Sequence, residues 1–247
     1  NRFCSYCIIP YARGRVRSKP LDQLTEELNQ LASKGFKEVV LVGINLSAYG
    51  QEFGINLADA IEAACAVDGI ERVRLSSLEP ERMDRHTIER LAAQPKLCPQ
   101  FHLSLQSGCN ATLKRMNRHY TAEDYTEIVS DLRNAFDNCA ITTDIMVGFP
   151  GETEEEIKES LDFAKKTAFA RVHVFAYSRR PGTVADKAEN QVPENIKNIR
   201  SKAMIEVTTK TMTDFLNSQV GRVESVLFER EKNGFFEGYT KNYTHVV

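Results

Sequence analysis

Apolar and polar positions along the chain follow two alternating periods. Leu21, Leu24, Leu28 and Leu31 recur at the spacing that gathers one face of a helix, and Gly35 supplies a stop. The run 38–43 that follows, through Val39, Val40, Leu41 and Val42, has the continuous apolar character of a buried strand. The same unit recurs. Helical periodicity at 57–67 precedes a strand pattern at 72–76, and that at 84–93 precedes 100–105. Helical 122–136 leads to 140–147, helical 153–167 leads to 171–175, and a long helical signal covers 193–218. Short apolar strands separated by helices predict a parallel sheet, because parallel neighbours need a crossover connection. With a first strand ending near Cys4, six strands are predicted. The class is α/β, and a partial (β/α)6 barrel fits better than a complete eightfold one, with a doubly wound open sheet as the alternative. In either architecture ligands gather at the C-terminal edges of the strands.

The texture changes after Val220. Residues 222–229 alternate with a period of two, Lys232-Asn233-Gly234 is a turn signal, and 235–247 continue as strand. These patterns place a boundary near Asn217 to Val220, giving a main domain over 1–218 and an incomplete small β domain over 219–247.

Composition narrows the picture. With 247 residues and 42% hydrophobic side chains, the chain can bury one large α/β core and still carry a small appendage. It has no run of about 18 apolar residues and no apolar leader, so a soluble, cytoplasmic protein with no membrane contact is expected. A net charge of −2 argues against a broadly basic nucleic-acid binder. The charge is uneven, however: Arg2, Arg13, Arg15, Arg17 and Lys19 fall within the first twenty residues, which hold no acidic residue. That is a local positive surface, or more plainly a solvated basic loop.

Of the six cysteines, only Cys4 and Cys7 are closely spaced. A CxxC pair serves thioredoxin-type redox chemistry, half of a zinc site, or ligation of an iron–sulfur cluster. Zinc needs a second ligand pair, and no other CxxC or HxxxH is present. A thioredoxin-type pair opens a helix, and Ile8-Ile9-Pro10 reads as a poor helix start, which leaves cluster ligation. Cys65, Cys98, Cys109 and Cys139 have no partner spacing and read as small buried hydrophobes. His102 and His173, on predicted strands without a ligand pattern, read as core or rim histidines.

The opening run NRFCSYCIIPYARG resembles the radical S-adenosylmethionine signature CxxxCxxC, with the first cysteine immediately ahead of Asn1. Further segments resemble the methylthiotransferases of that superfamily, in the family's order: ARGRVRS, VLVGIN, RLSSLEP, HLSLQSGC, LKRMNRHYT, TDIMVGFPGETEEE and FAYSRRPGT. The stretch 222–247 resembles the opening of a TRAM domain, the small RNA-binding barrel appended to these enzymes. IIPYARG with RSK, SSLEP and QSGC are most similar to the branch acting on N(6)-threonylcarbamoyladenosine in tRNA, ahead of the isopentenyladenosine and ribosomal-protein branches.

The resemblance implies a 4Fe-4S cluster on three thiols, two of them Cys4 and Cys7, whose open iron takes S-adenosylmethionine. It also implies an auxiliary 4Fe-4S cluster on an N-terminal domain outside this chain, tRNA as partner, and an unidentified electron-donor protein. The reaction would cleave S-adenosylmethionine to a 5′-deoxyadenosyl radical that takes hydrogen from C2 of the modified adenine, after which a methylthio group fills that position. This polypeptide alone, with two of the three cysteines, is expected to be inactive. A binding module without turnover and a metal-free structural barrel are the alternatives.

Several residues become candidates for the cofactor, each with a plainer reading. Tyr6 lies where the family commonly has an aromatic beside the adenine, although packing under the loop explains it too. Ser76, Ser77 and Glu79 follow a strand and can bond the ribose or amino group, or cap a helix. Gln106 and Ser107 end the next strand at a polar contact or a simple turn. Asp144, inside an apolar strand, needs a partner, because a lone carboxylate there is costly. Gly148 suits close backbone approach or a tight turn. Tyr177 lies in the FAYSRRPGT segment. Arg115, Arg179 and Arg180 match the cofactor carboxylate or RNA phosphates, or are solvated. Arg13, Arg15 and Arg17 are the RNA-binding cations of the basic lip, and Phe236 and Tyr239 are candidates to stack on bases. The acidic stretch 152–156 offsets a helix dipole and is assigned no catalysis.

Overall fold

A computed structural model describes residues 3–247. Packing gathers the chain into two compact units, each assembled from separate stretches. The first holds the residues through Val16, Leu103–Val129 and Thr142–Phe215, and the second holds Arg17–His102, Ser130–Ile141 and Leu216–Val247. Among the described residues no helix is long and apolar enough to cross a membrane.

In the second unit the leucine stripe forms helix α2 (Leu21–Ser33), with Leu28 buried, and Gly35 ends it in the left-handed region at φ 87°. Strand β1 (Glu38–Leu41) pairs in parallel with β2 (Arg72–Leu75), Glu38 opposite Arg72. Helix α3 (Leu57–Ala66) makes the crossover, buries Leu57, Ala60, Ile61, Ala64 and Cys65, and starts on a capping box of Asn56 and Asp59. Helix α4 (Arg85–Ala92) is capped by Asp84, whose carboxylate accepts from Thr87 N at 2.7 Å.

Arg90 of α4 clamps α3 through Asp59 at 2.7 Å and Glu62 at 2.8 Å. The hydrogen bond from Arg90 holds the Asp59 carboxyl below the usual carboxylate range. An acid lowered in this way contributes stability that is complete above its unfolded-state pKa and lost as pH falls through the folded value. Asp59→Asn is therefore expected to cost about 1 kcal/mol at neutral pH. In urea unfolding, the gap from wild type should close as the pH is taken below the aspartate range.

The small β region is antiparallel, with β6 (Val226–Lys232) beside β7 (Phe235–Thr240) and β7 beside β8 (His245–Val246). Asn233 and Gly234 link the first pair with φ of 53° and 81°, the two positive values that a tight hairpin turn matching strand twist requires. Two buried arginines of β2 donate to backbone carbonyls of this region. Arg72 donates to the carbonyls of Tyr239 (2.9 Å) and Ser225 (2.8 Å), and Arg74 to those of Lys241 (2.7 Å) and Thr240 (2.8 Å). Glu38 neutralises both, 2.8 Å from Arg74 and 3.8 Å from Arg72.

In the first unit β4 (Ala140–Val147) and β5 (Arg171–Ala176) pair in parallel, Thr142 opposite Arg171 through Val147 opposite Ala176. Strand β3 covers Gln100–His102 in the second unit. One face of β4 is sealed: Thr143, Ile145 and Val147 have no exposure, whereas Thr142, Asp144 and Met146 are half-buried. Tyr125 of α6 (Ala122–Ala135) meets Phe163 of α7 (Glu154–Thr167) and Phe169 edge to face. A capping box of Thr153 and Glu156 starts α7, and the long helix α8 (Glu194–Gln219) follows.

In the antiparallel sheet, the strand expected over 222–229 instead starts at Val226 and runs to Lys232, and that expected over 235–247 breaks into β7 and β8. Three further expectations change. No strand lies between Phe3 and Ile8, so five strands rather than six precede the antiparallel sheet among the described residues. Residues Ile9–Arg13 form helix α1 with Pro10 in its first turn, where the missing N–H costs nothing. The argument that Ile8-Ile9-Pro10 disfavours a helix therefore fails, and with it the ground for setting aside a thioredoxin-type pair. The strand predicted over 100–105 stops at His102 instead of Leu105, and Gln106 rejoins only as an isolated bridge to Ile145.

Candidate functional site

Cys4, Ser5, Tyr6 and Cys7 make one tight turn, closed by Cys7 N donating to the Cys4 carbonyl at 3.0 Å. Buried Ser5 pins the turn on three sides. Its N–H donates to Met116 O at 3.0 Å, its hydroxyl to Arg115 O at 2.7 Å, and its carbonyl accepts from Ala185 N at 2.8 Å. Both thiols are thereby fixed in one turn, half-buried.

The decisive neighbour is Arg118, only 8% exposed. It donates to Cys4 Sγ at 3.3 Å, to Ser104 O at 3.1 Å and to the Tyr120 hydroxyl at 3.0 Å, and it lies 5.0 Å from the Tyr120 ring centre. A guanidinium locked beside a thiol offers fixed positive charge to whatever that sulfur binds. The sequence reading quotes Arg118 within LKRMNRHYT but gives it no role, because nothing in the pattern separates a buried cation from a solvated one.

Tyr6 packs with Met146 against Met116, Phe149, Tyr177 and Ala185. Its ring meets Phe149 edge-on at 6.2 Å, and Phe149 meets Tyr177 at 5.3 Å. Burial pushes the Tyr177 hydroxyl up from its ordinary value. Lys197 of α8, another residue without a role in the sequence reading, donates to Tyr177 O at 2.9 Å.

Gln106 carries the unusual backbone of the site. Its φ is 71°, its N–H donates to Asp144 O and its carbonyl accepts from Met146 N, both at 2.9 Å. A side chain in this region costs on the order of 1 kcal/mol, a form of strain that collects at functional sites. Ser107 is buried and accepts from Cys109 N at 3.2 Å, turning the chain into α5 (Asn110–Arg115), a helix too short to leave a periodic signal. Asp144 sits half-buried on β4, two residues from Met146.

Gly148 has φ 69°, and a Cβ there would lie 2.4 Å from Lys197, so the turn and its packing already require glycine. The Gly148 N–H donates to Glu152, which α8 matches with Arg200 at 2.9 Å in a buried pair. Arg115 is held by Glu156 and Arg179 by Asp186, while Arg13, Arg15 and Arg180 are exposed.

The remaining candidates lie in the second unit. Ser76 follows β2, its N–H donating to Leu41 O at 2.9 Å and its hydroxyl accepting from Gly43 N at 3.3 Å. Ser77 is exposed, Glu79 N donates to the Ser47 hydroxyl at 2.8 Å, and Arg17 is exposed. Phe236 is exposed and edge-on to Phe228 at 6.1 Å. Tyr239 stacks on Tyr243 at 4.4 Å, so one of its faces is already covered.

Cys65, Cys98 and Cys109 are buried as expected, whereas Cys139 is half-buried. Burial pushes the Cys65 thiol up to about 11 and the Cys139 thiol up to about 12, values that keep both protonated at neutral pH. Among the described residues no three His, Cys, Asp or Glu side chains gather to hold a metal. Cys4 and Cys7 fit two corners of a cluster, with two soft thiols in one pinned turn and a cationic donor on one of them. The resemblance puts the third thiol ahead of Asn1.

Comparison with known proteins bears on this pair directly, because the sequence profile of the radical SAM superfamily matches residues 1–164. The chain belongs to the radical SAM superfamily. Among curated relatives it is 39% identical, over its whole length, to a tRNA-2-methylthio-N(6)-dimethylallyladenosine synthase of Pelotomaculum thermopropionicum, covering 56% of that protein. It is equally 39% identical to the threonylcarbamoyladenosine tRNA methylthiotransferase MtaB of Bacillus subtilis, again covering all of this chain and 56% of the relative. The chain thus spans about half the length of the curated relatives it matches. Among solved structures it resembles the radical S-adenosylmethionine methyltransferase TsrM of Kitasatospora setae, with TM-score 0.63 and 18% identity, over 75% of this chain and 36% of that one. It also resembles coproporphyrinogen III oxidase (HemN) of Escherichia coli, with TM-score 0.59 and 14% identity, over 85% and 50%. At such identities the likeness is one of fold, and the expected α/β class is the radical SAM one.

Proposed function

We propose that this chain is the radical-generating part of a tRNA methylthiotransferase that modifies C2 of N(6)-threonylcarbamoyladenosine beside the anticodon. The observation that carries the reading is the pinned Cys4–Cys7 turn with Arg118 on the Cys4 sulfur, in a chain of the radical SAM superfamily. Cys4, Cys7 and a cysteine ahead of Asn1 hold a 4Fe-4S cluster, and the auxiliary cluster belongs to an N-terminal domain. The cluster, when bound, would supply the one electron that cleaves S-adenosylmethionine to methionine and the carbon radical able to take a hydrogen atom from C2.

The side chains bind and shelter. Arg118 offers a charge-assisted donor to the cofactor carboxylate. Gln106, Ser107 and Asp144 hold its polar groups, and Tyr6, Tyr177 and the apolar cluster around Phe149 keep water out. Gly148 and Arg115 are the other cofactor-binding residues in the first unit, and Ser76, Ser77 and Glu79 are those in the second. Arg13, Arg15, Arg17, Arg179 and Arg180 take RNA phosphates, with Phe236 and Tyr239 as stacking residues of a TRAM-like portion over 219–247 that follows the main domain over 1–218. The protein works in the cytoplasm and draws on a low-potential one-electron donor protein.

The isopentenyladenosine reading is the second one, favoured by relatives of 39–41% identity bearing that name. Mass spectrometry of tRNA nucleosides from cells lacking the gene separates the two. Loss of 2-methylthio-N(6)-threonylcarbamoyladenosine alone is expected, and loss of only the isopentenyl species would overturn the assignment.

A further inference from the structure

The open face of the β4–β5 pair is graded along its length. Partners in a parallel pair point to the same side, so Thr142, Asp144 and Met146 share that side with Arg171, His173 and Phe175. The second row alternates cleanly: Arg171, His173 and Phe175 are exposed and the residues between them half-buried. At the C-terminal end the face is apolar. Met146 packs on the Tyr6 cluster and its partner Phe175 is 52% exposed. Towards the N-terminal end it becomes polar, through Asp144 and His173 to Thr142 and Arg171. Phe175 and Arg171 are four residues apart on one strand, on the order of 13 Å.

We infer that this row is the specificity-determining surface for the modified base. Phe175 receives the flat purine next to the cysteine turn, and Arg171 pairs with an anionic group carried on the base's N6 substituent. A threonylcarbamoyl group bears such a carboxylate, whereas an isopentenyl group has no charge to offer and leaves a guanidinium beside it unused. Arginine suits the task because its fork matches a carboxylate in two places. The inference rests on the proposed methylthiotransferase reading and names the residues that select its substrate.

The test uses the complete gene product and three anticodon stem-loops, carrying adenosine, N(6)-threonylcarbamoyladenosine or N(6)-isopentenyladenosine, with dissociation constants read by fluorescence anisotropy. Wild type is expected to prefer the threonylcarbamoyl RNA. In Arg171→Met that preference over the adenosine RNA should fall at least tenfold, Arg171→Glu should invert it, and Arg171→Lys should restore part of it. Phe175→Ala should weaken all three RNAs alike, since each presents the same purine. An unchanged preference in Arg171→Met and Arg171→Glu, or a loss in those variants that is equal for all three RNAs, overturns the inference and leaves the enzyme assignment standing. A wild-type protein that prefers the isopentenyl RNA overturns the substrate assignment itself.

Discussion

Cys4→Ala in the complete protein is expected to abolish iron binding after anaerobic reconstitution and, with it, cleavage of S-adenosylmethionine. A three-thiol site that keeps one iron open has no spare ligand, and the residues around Cys4 supply none, because no third donor gathers near the pair among the described residues. The substitution also removes the sulfur to which Arg118 donates at 3.3 Å, leaving one arm of a buried guanidinium without that acceptor. Cys7→Ala should lose iron equally without disturbing Arg118. Cys65→Ala, in the core of α3, should keep full iron content, since its thiol stays protonated at neutral pH. Iron and sulfide per chain check all three, and a Cys4→Ala protein that retained wild-type iron would remove these thiols from the site.

The second large effect concerns the antiparallel sheet. Arg74→Met is expected to destabilise the second unit by about 3–5 kcal/mol, the usual consequence of removing one partner from a buried ion pair. Three losses coincide. Glu38 is left with the longer 3.8 Å contact with Arg72, the Lys241 carbonyl loses the Arg74 donor while the Thr240 carbonyl retains the Tyr243 N–H at 3.1 Å, and Tyr243 loses the guanidinium 4.8 Å from its ring centre. Urea unfolding should show the loss, and limited proteolysis should cut within 226–246 first. Glu38→Gln added to Arg74→Met should recover part of the deficit, because the uncompensated carboxylate is then gone. An Arg74→Met sheet as protease-resistant as wild type would mean that the arginine only decorates it.

Much of the scaffold was legible because it is written in periodicity. The leucines of α2, the apolar run of β4 and the Asn233-Gly234 turn are each local signals that the fold obeys, with ends shifted by a residue or two. Short elements were not. Helix α5 has six residues, and α1 has five with a proline in its first turn, too few for an amphipathic pattern to emerge. The spacing of the cysteine pair marked it as a candidate without fixing which chemistry it serves. Its surroundings were not legible, because Arg118, Lys197 and the Glu152–Arg200 pair owe their character to burial, and a charged letter in a sequence does not say which side of the surface it lies on. Gly148 shows the reverse limit. The letter suggested backbone approach to a ligand, and the structure adds a neighbouring lysine that demands glycine by itself.

Strand β4 does two jobs with one alternation, insulating the interior with every second side chain and presenting the rest outward. Substitutions can therefore alter either set independently, but inserting or deleting a single residue within 140–147 would exchange the two sets wholesale, turning Asp144 inward and Ile145 out. Across homologous proteins this segment should vary in its letters while never changing its length.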